Sequence, residues 1–510
     1  VAQWTSAVGA AQLARLLGGP QRAGAPGRAS DGAGAGAANG RRTPAYRSLA
    51  DGIRTLVLEG RVPVAARLPA ERELAAALAL SRTTVAAAFE ELRSEGYLAS
   101  RRGAGSWTAM PDGNPLPTGG LEPLPPEAAE SVLDLGCAAL SAPEPYLSRA
   151  FERALTELPP YIRTHGDYPA GLPALRAAIA DRYTARGVPT MPEQIMITTG
   201  AMGAVAALAH LFTPRGERVA VEHPSYANIL QLLRRTGVRL VPVAMAGELA
   251  GWDLPAWRQV LRDSSPRMGY VVADFHNPTG ALADEEQRRD LVTAARSAGT
   301  LLVADETMAD LPLEPGLELP RPMAAFDTGG STVITVGSVS KVIWSGMRIG
   351  WVRASPEVIR SLVAARAYAD LGSPVLEQLA VVGLLSDGSW EDAVAARRRQ
   401  ARENRDALVD ALRRHLPDWE FTVPRGGLTL WTRTGGLSGS RIAEAGEQLG
   451  VRVPAGTRFG VDGAFEAYVR LPFTLPGVLA TEAVKRLAGA AELVRTGGTA
   501  GTETPRSYVA

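Results

Sequence analysis

The sequence predicts two folded units joined by a connector: a small N-terminal α+β unit of three helices and a hairpin, then a large C-terminal α/β domain with a mainly parallel sheet. Three observations lead there. The chain has 510 residues, too many for one ordinary domain. A stretch of compact helical patterns closes on a Gly-rich hairpin near residue 109, and a run rich in Pro and Gly follows it. Beyond that run, near-continuous apolar strands alternate with helical segments, the pattern of a parallel sheet covered on both faces.

Residues 1–20 carry a short helical pattern through Trp4, Leu13, Leu16 and Leu17, and residues 24–40 are nearly all Ala, Gly, Ser, Pro and Asn. Such a composition cannot offset its ordering entropy, so 1–42 is expected to be a largely disordered extension. Residues 43–109 form the small unit. Pro44–Gly60 reads as a helix with Leu49, Ile53 and Val57 on one face, and Pro69–Leu78 as a second with proline in its first turn. Ser81 is placed to cap a third, in which Val85, Phe89 and Leu92 face the core. Residues 96–107 read as two short strands and a turn. The connector, 110–127, contains six prolines and spans up to about 55 Å if it runs as polyproline II. In the large domain, 128–494, strands are expected in the runs that begin at Ile195, Arg218, Arg239, Met268, Thr300 and Thr332, and an amphipathic helix at Ala480–Leu487. Residues 495–510 are Gly/Thr/Ser-rich and are expected to be a disordered tail.

Hydrophobic residues make up 46% and charged residues 21%, and the net charge is +1, which excludes a protein that coats nucleic acid along its whole length. Charge is nevertheless uneven: residues 41–111 hold eleven arginines and seven acids, a local +4. One cysteine, Cys137, excludes an internal disulfide and a multi-cysteine metal site; no metal is expected. No apolar run reaches the roughly 18 residues that span a bilayer, and no basic stretch precedes an apolar one at the start. The expectation is a soluble, cytoplasmic protein without membrane contact.

Three helices and a hairpin match a winged helix-turn-helix. Its third helix presents Arg82, Thr83 and Thr84 at the N-terminus, where side chains reach base edges or phosphates in a major groove. Arg101 and Arg102 on the wing would meet backbone phosphate. On charge alone, a protein-interaction module with ordinary surface arginines fits as well. The segment LPAERELAAALALSRTTVAAAFEELRSEGYLASRRGAGSW goes further, because it resembles the DNA-binding domain of GntR-family bacterial regulators. That resemblance implies double-stranded DNA as partner, with Arg72, Ser81, Arg82, Thr83, Thr84 and Gly105 among the contacts. The wing carries Ser106-Trp107 where the family has Thr-Phe, and Ala86 and Ala87 leave the middle of the third helix without polar reach. Specificity is then carried by few contacts.

Lysine occurs only at positions 341 and 485, so 52 of the 54 basic residues are arginine. Arginine cannot be deprotonated in a protein, whereas a lysine amine can be made neutral and nucleophilic. Lys485 falls in an amphipathic helix and needs no special account. Lys341 directly follows an apolar strand, in GSVSKVIWSGMRIGW, and short motifs precede it in order: Gly200-Ala-Met-Gly, His223-Pro-Ser-Tyr, Asn277-Pro-Thr-Gly and Ala304-Asp-Glu. Each alone is a turn or a strand end; together they match what pyridoxal 5'-phosphate (PLP) requires. Its aldehyde takes a Schiff base from a lysine, Lys341, and its pyridine nitrogen a buried carboxylate, Asp305. Its phosphate takes a helix N-terminus, hydroxyls and an arginine: Gly200, Ala201, Met202, Ser338 and Arg348. Tyr226 offers an aromatic face and Asn277 a donor to the phenolic oxygen. Taken singly, Tyr226 is as well explained by core packing, Ser338 by a turn, Arg348 by the surface and Asp305 by a loop cap.

From about 130 to 490 the set resembles fold-type I aminotransferases. The resemblance implies that Arg470, in YVRLPF, forks the α-carboxylate of a substrate or effector, and that a tyrosine should follow Asp305 by three residues. Methionine, Met308, stands there and cannot donate a hydrogen bond, which puts efficient transamination in doubt. Reader, connector and aminotransferase-like body in this order resemble the MocR/PdxR subfamily of regulators. This implies a head-to-tail homodimer whose DNA binding responds to PLP or to its adduct with a small amino compound. Two other readings stay open: a working PLP-dependent aminotransferase with a residual DNA-binding domain, and a DNA-binding protein whose large domain only dimerises.

Overall fold

The computed structural model describes residues 6–18, 44–101, 105–111, 121, 124, 127, 132–246 and 251–497. Trp4, the Ala/Gly-rich 24–40 segment, Arg102, most of the connector and the tail beyond 497 lie outside the described residues. The chain divides into a unit of Val1–Pro117 with Gly460–Phe465, and a unit of Thr118–Phe459 with Glu466–Ala510.

The smaller unit begins with β1 (Ser6–Ala7) and α1 (Ala10–Leu16), followed by α2 (Ala45–Leu58), β2 (Ala66–Arg67), α3 (Glu71–Leu78), α4 (Arg82–Ser94), β3 (Leu98–Arg101) and β4 (Gly105–Thr108). The three expected helices form, and α4 starts where Ser81 accepts a hydrogen bond from the Thr84 amide at 3.0 Å. Pro69 does not enter the first turn of α3; Ala70 is the capping residue and Pro69 precedes it. Leu49, Ile53, Leu74, Leu78, Val85 and Phe89 close one apolar core. Residues 6–18 are an integral part of this unit. β1 pairs in parallel with β2, and Val8, Leu13 and Ala14 are buried in the same core, since an apolar face on a seven-residue helix is stable only when it docks. The sheet order is β1-β2-β4-β3.

The larger unit runs β5 (Leu133–Asp134), α5 (Tyr146–Glu157), α6 (Pro173–Ala185), β6 (Ile195–Thr198), α7 (Gly200–Phe212), β7 (Arg218–His223), α8 (Ala227–Arg235), β8 (Arg239–Ala246), β9 (Gly251–Trp252), α9 (Leu254–Ser264), β10 (Met268–Val271), α10 (Glu285–Ala298), β11 (Leu301–Asp305), β12 (Val333–Ser338) and β13 (Gly350–Arg353). The chain continues through α11 (Pro356–Arg366), α12 (Val375–Ser386), α13 (Ser389–His415), β14 (Glu420–Phe421), β15 (Thr429–Arg433), α14 (Gly439–Gln448), β16 (Val451–Arg452), β17 (Tyr468–Pro472) and α15 (Gly477–Thr496).

Eight strands form one sheet in the order β6-β13-β12-β11-β10-β7-β8-β9. The pairs from β12 through β8 are parallel, and β13 is antiparallel to both its neighbours. All six expected strands are present, but β13 was not foreseen. The return from β12 to β13 is too short for a crossover helix, so the strand can only come back antiparallel. β14, β15 and β17 make a separate antiparallel sheet, and β17 carries Arg470. Among the described residues no helix is long and apolar enough to cross a membrane, and no cluster of three or more His, Cys, Asp or Glu could hold a metal.

Candidate functional site

In an open parallel sheet, ligands gather where strands end and the following loops diverge. Here β6, β7, β10, β11 and β12 deliver their C-terminal loops to one cavity of about 390 Å³, within the usual size for a small-molecule site. Ala201, Met202, Tyr226, Asn277, Asp305, Lys341, Arg348 and Arg470 line it together.

α7 opens at this cavity. Gly200, at φ +75°, makes the turn from β6, and Thr199 gives α7 no side-chain cap, so the first amides of the helix and their partial positive charge face the site. A Cβ at Gly200 would stand 2.5 Å from the Arg348 guanidinium; glycine is what lets that arginine approach. Arg348 donates to the carbonyls of Thr199 (3.2 Å) and Ser345 (3.3 Å). Ser338 does not line the cavity. Its hydroxyl is turned back on the fold, donating to the Ile349 carbonyl at 3.0 Å and lying 2.5 Å from the Ser340 hydroxyl. Ser340 and Ser345 are the serines that line the cavity among the described residues.

Asp305 ends β11 and is buried. Its carboxylate accepts from the Tyr270 hydroxyl at 2.5 Å and from the Thr307 amide at 2.9 Å. Burial raises its pKa above the ordinary carboxylate value, and those two bonds pull against the rise. The Lys341 amine donates to the Ala138 carbonyl at 2.8 Å; burial lowers its pKa, Asp305 opposes the shift, and Arg470 and Arg348 add to it. Arg470 is 1% exposed. It donates to the Gly136 carbonyl and stacks 5.1 Å from the centre of the Phe459 ring, while burial lowers its pKa to about 10. Its Nε and the Asn277 Oδ1 are buried without a hydrogen-bond partner. Such groups are costly unless a ligand or water completes them. Met308, buried on the same wall, offers no donor.

Several contributors carried little sequence signal. Tyr270 lies seven residues before Asn277 on β10 and reads as an ordinary strand tyrosine, yet its hydroxyl faces Asp305. Glu222, fully buried, accepts from the Trp252 indole (2.5 Å) and the Val272 amide (3.0 Å) and lies 3.2 Å from the His276 Nε2. It thereby ties the end of β7 to the loop that presents Asn277. Arg397 on α13 donates to the carbonyls of Val342 (3.1 Å), Ile343 (2.8 Å) and Ser141 (2.5 Å), fixing the loop after Lys341.

The smaller unit holds a second cluster. Arg72, Arg82 and Gly105 line one concavity, together with Arg67, a residue the sequence did not single out. Ser81, Thr83 and Thr84 sit at the start of α4, where the Ser81 hydroxyl lies 2.8 Å from that of Thr83 and 2.7 Å from that of Thr84. Arg101 is exposed and pairs with Gly105 across the wing.

The residues lining the large cavity fit PLP: an amine held toward its neutral form, a buried carboxylate, and an arginine beside a bare helix N-terminus. Comparisons with known proteins agree. Residues 163–487 match the family described as Aminotransferase class I and II, and residues 45–107 match Bacterial regulatory proteins, gntR family. The 2-aminoadipate transaminase of Thermus thermophilus is 34% identical over 63% of this chain and 79% of its own length. The probable rhizopine catabolism regulatory protein MocR of Rhizobium meliloti is 27% identical over 74% of this chain and 78% of its own. Among solved structures, the alpha-aminoadipate aminotransferase of Thermus thermophilus, complexed with N-(5'-phosphopyridoxyl)-L-leucine, superposes with a TM-score of 0.66 at 30% identity, covering 72% of this chain and 94% of that one.

Proposed function

Because the chain belongs to the PLP-dependent class I and II aminotransferase family and carries a GntR-family helix-turn-helix domain ahead of it, we propose that it is a cytoplasmic transcriptional regulator whose DNA binding responds to PLP and to a small amino compound captured at Lys341. One observation carries the reading. The cavity keeps a half-buried lysine and a buried carboxylate, Asp305, but has Met308 where turnover calls for a phenolic donor. Capture is retained and fine control of protonation is not.

When bound, PLP would supply an electrophilic aldehyde and a protonated ring that draws electrons, and Lys341 would be the amine that holds it. Asp305 would hold the proton at the pyridine nitrogen, with Tyr270 and Thr307 keeping the carboxylate ionised and oriented. The α7 amides, Ser340, Ser345 and Arg348 would hold the phosphate, Tyr226 would cover the ring, and Asn277 would donate to the phenolic oxygen. Arg470 would take the effector's carboxylate. In the reader, Arg72, Arg82, Thr83, Thr84, Ser81 and Gly105, with Arg101, would contact duplex DNA. A head-to-tail homodimer is the species that reads DNA, and exposed apolar side chains such as Tyr368 (95%) and Ile162 (69%) leave surface on the larger unit for a second copy. Coupling requires that PLP or its adduct favour one arrangement of the readers by roughly 1–3 kcal/mol.

Borohydride reduction of the PLP-loaded protein followed by peptide mass mapping should place the pyridoxyl label on Lys341. A label on Lys485, or none, would overturn the capture role. The aminotransferase reading is favoured by the 34% identical transaminase; many turnovers of an amino acid to its keto acid per protein would establish it.

A further inference from the structure

α7 begins after a residue of the type that caps helices. A threonine in that position ordinarily turns its side-chain oxygen onto the amide of the second or third helical residue and satisfies one of the open donors there. Thr199 makes no such bond to α7. Its hydroxyl donates instead to the Asp370 carboxylate at 2.5 Å, while its carbonyl accepts from Arg348 at 3.2 Å.

The end of α11 places Asp370 for this. Arg366, the last residue of α11 and 5% exposed, grips the carboxylate with two nitrogens, Nε at 2.5 Å from Oδ1 and Nη2 at 3.1 Å from Oδ2. The same guanidinium donates to the Ser373 hydroxyl (2.9 Å), to the Pro169 carbonyl (3.0 Å) and to the Ile197 carbonyl. Ile197 lies on β6, two residues before Thr199. One buried cation thus fixes both the strand that leads into α7 and the carboxylate that holds the capping residue. The two-nitrogen grip sets the orientation of Asp370 and pairs its charge, so that the carboxylate does not oppose an anion at α7.

We propose that Asp370 is a positioning residue for phosphate: by holding the Thr199 hydroxyl it keeps the first amides of α7 for the cofactor's phosphate, and so makes the site select the phosphorylated form. The inference rests on the function proposed above, in which those amides and Arg348 hold the phosphate. A threonine cap and a phosphate compete for the same donors, and the bond from Thr199 to Asp370 decides the competition. Loss of the carboxylate leaves the hydroxyl free to close on the helix end, and the phosphate must then displace it. The aldehyde and ring of the cofactor make no use of these amides, so the effect falls on the phosphate alone.

The test uses the full chain stripped of PLP and titrated with PLP and with pyridoxal, the same aldehyde without its phosphate, circular dichroism confirming the fold of each variant. The quantity read is the ratio of the two affinities. In Asp370→Ala, at an exposed position, that ratio should fall about three- to tenfold, the effect of one helix cap. Asp370→Asn, whose side-chain oxygen still accepts from Thr199, should keep the parent's ratio. Adding Thr199→Ala to Asp370→Ala should restore it, because no hydroxyl is left to close on the helix. A ratio unmoved in Asp370→Ala, or a loss that Thr199→Ala fails to restore, would overturn the inference; the second result would trace the loss to Arg366 left without its partner. If neither PLP nor pyridoxal binds the parent, the cofactor reading falls and this inference with it. If both bind and the ratio does not move, only the role of Asp370 falls.

Discussion

Replacing Tyr270 by Phe removes one oxygen from the site and leaves the ring in place. That oxygen donates to the buried Asp305 carboxylate at 2.5 Å, and Tyr270 is fully buried. A hydrogen bond to a charged group contributes about 1.5–3 kcal/mol. Its loss falls on the ionised form of Asp305, the form that PLP's protonated ring needs, so the expected weakening of PLP binding is roughly 10- to 150-fold. The sign with pH follows. Burial already holds the Asp305 pKa above its ordinary value and Tyr270 pulls it down; without Tyr270 it rises further. The penalty should therefore be larger at lower pH and shrink as pH rises, because more Asp305 is then ionised before PLP arrives. Calorimetric dissociation constants for PLP at pH 6 and pH 8.5, with circular dichroism to confirm the fold, measure this. Equal affinities for variant and parent at both pH values would refute the role assigned to the hydroxyl.

Asp305→Asn should behave oppositely for stability and for binding. A carboxylate whose folded pKa is raised above its unfolded value contributes stability that is present at low pH and lost as pH rises through the folded pKa. In PLP-free protein the variant's thermal midpoint should gain on the parent's as pH rises from the ordinary carboxylate value through the raised folded one, while PLP affinity drops. Leu13→Ala, in the fully buried face of α1, should destabilise the smaller unit by about 2–4 kcal/mol in urea unfolding; no change would detach residues 6–18 from that core. Met308→Tyr should restore a donor worth on the order of 1 kcal/mol and raise the single-turnover rate of amino-group transfer several-fold, read from the cofactor's absorbance.

What the sequence revealed and what it concealed have different physical origins. Lys341 was legible because arginine had taken nearly every other basic position, and Asp305 and Asn277 because strand ends and turns are local features. The six parallel strands were legible because a doubly covered sheet writes long apolar runs. Tyr270 was hidden because a strand tyrosine looks the same whether its hydroxyl meets a carboxylate or water. Ser338 ends β12 and Ser340 follows it by two residues, and the hydrogen bond from Ser338 to the Ile349 carbonyl turns the first of them away from the cavity. Arg397 and Arg288 are buried and structural while most arginines are exposed, a difference that no spacing records in so arginine-rich a chain. The docking of α1 depends on partners far along the chain, so a seven-residue helix with a few leucines looked marginal by itself.

The central claim, that this family scaffold serves to sense rather than to turn over, is tested most directly by DNA binding at fixed, stated salt. The purified protein and Lys341→Ala are titrated against duplex from upstream of the protein's own gene, with and without PLP. The account predicts a sequence-selective complex whose affinity moves by about 5- to 150-fold with PLP in the parent, and no movement in Lys341→Ala. An affinity that ignores PLP in the parent, or a PLP effect that survives in Lys341→Ala, would contradict it.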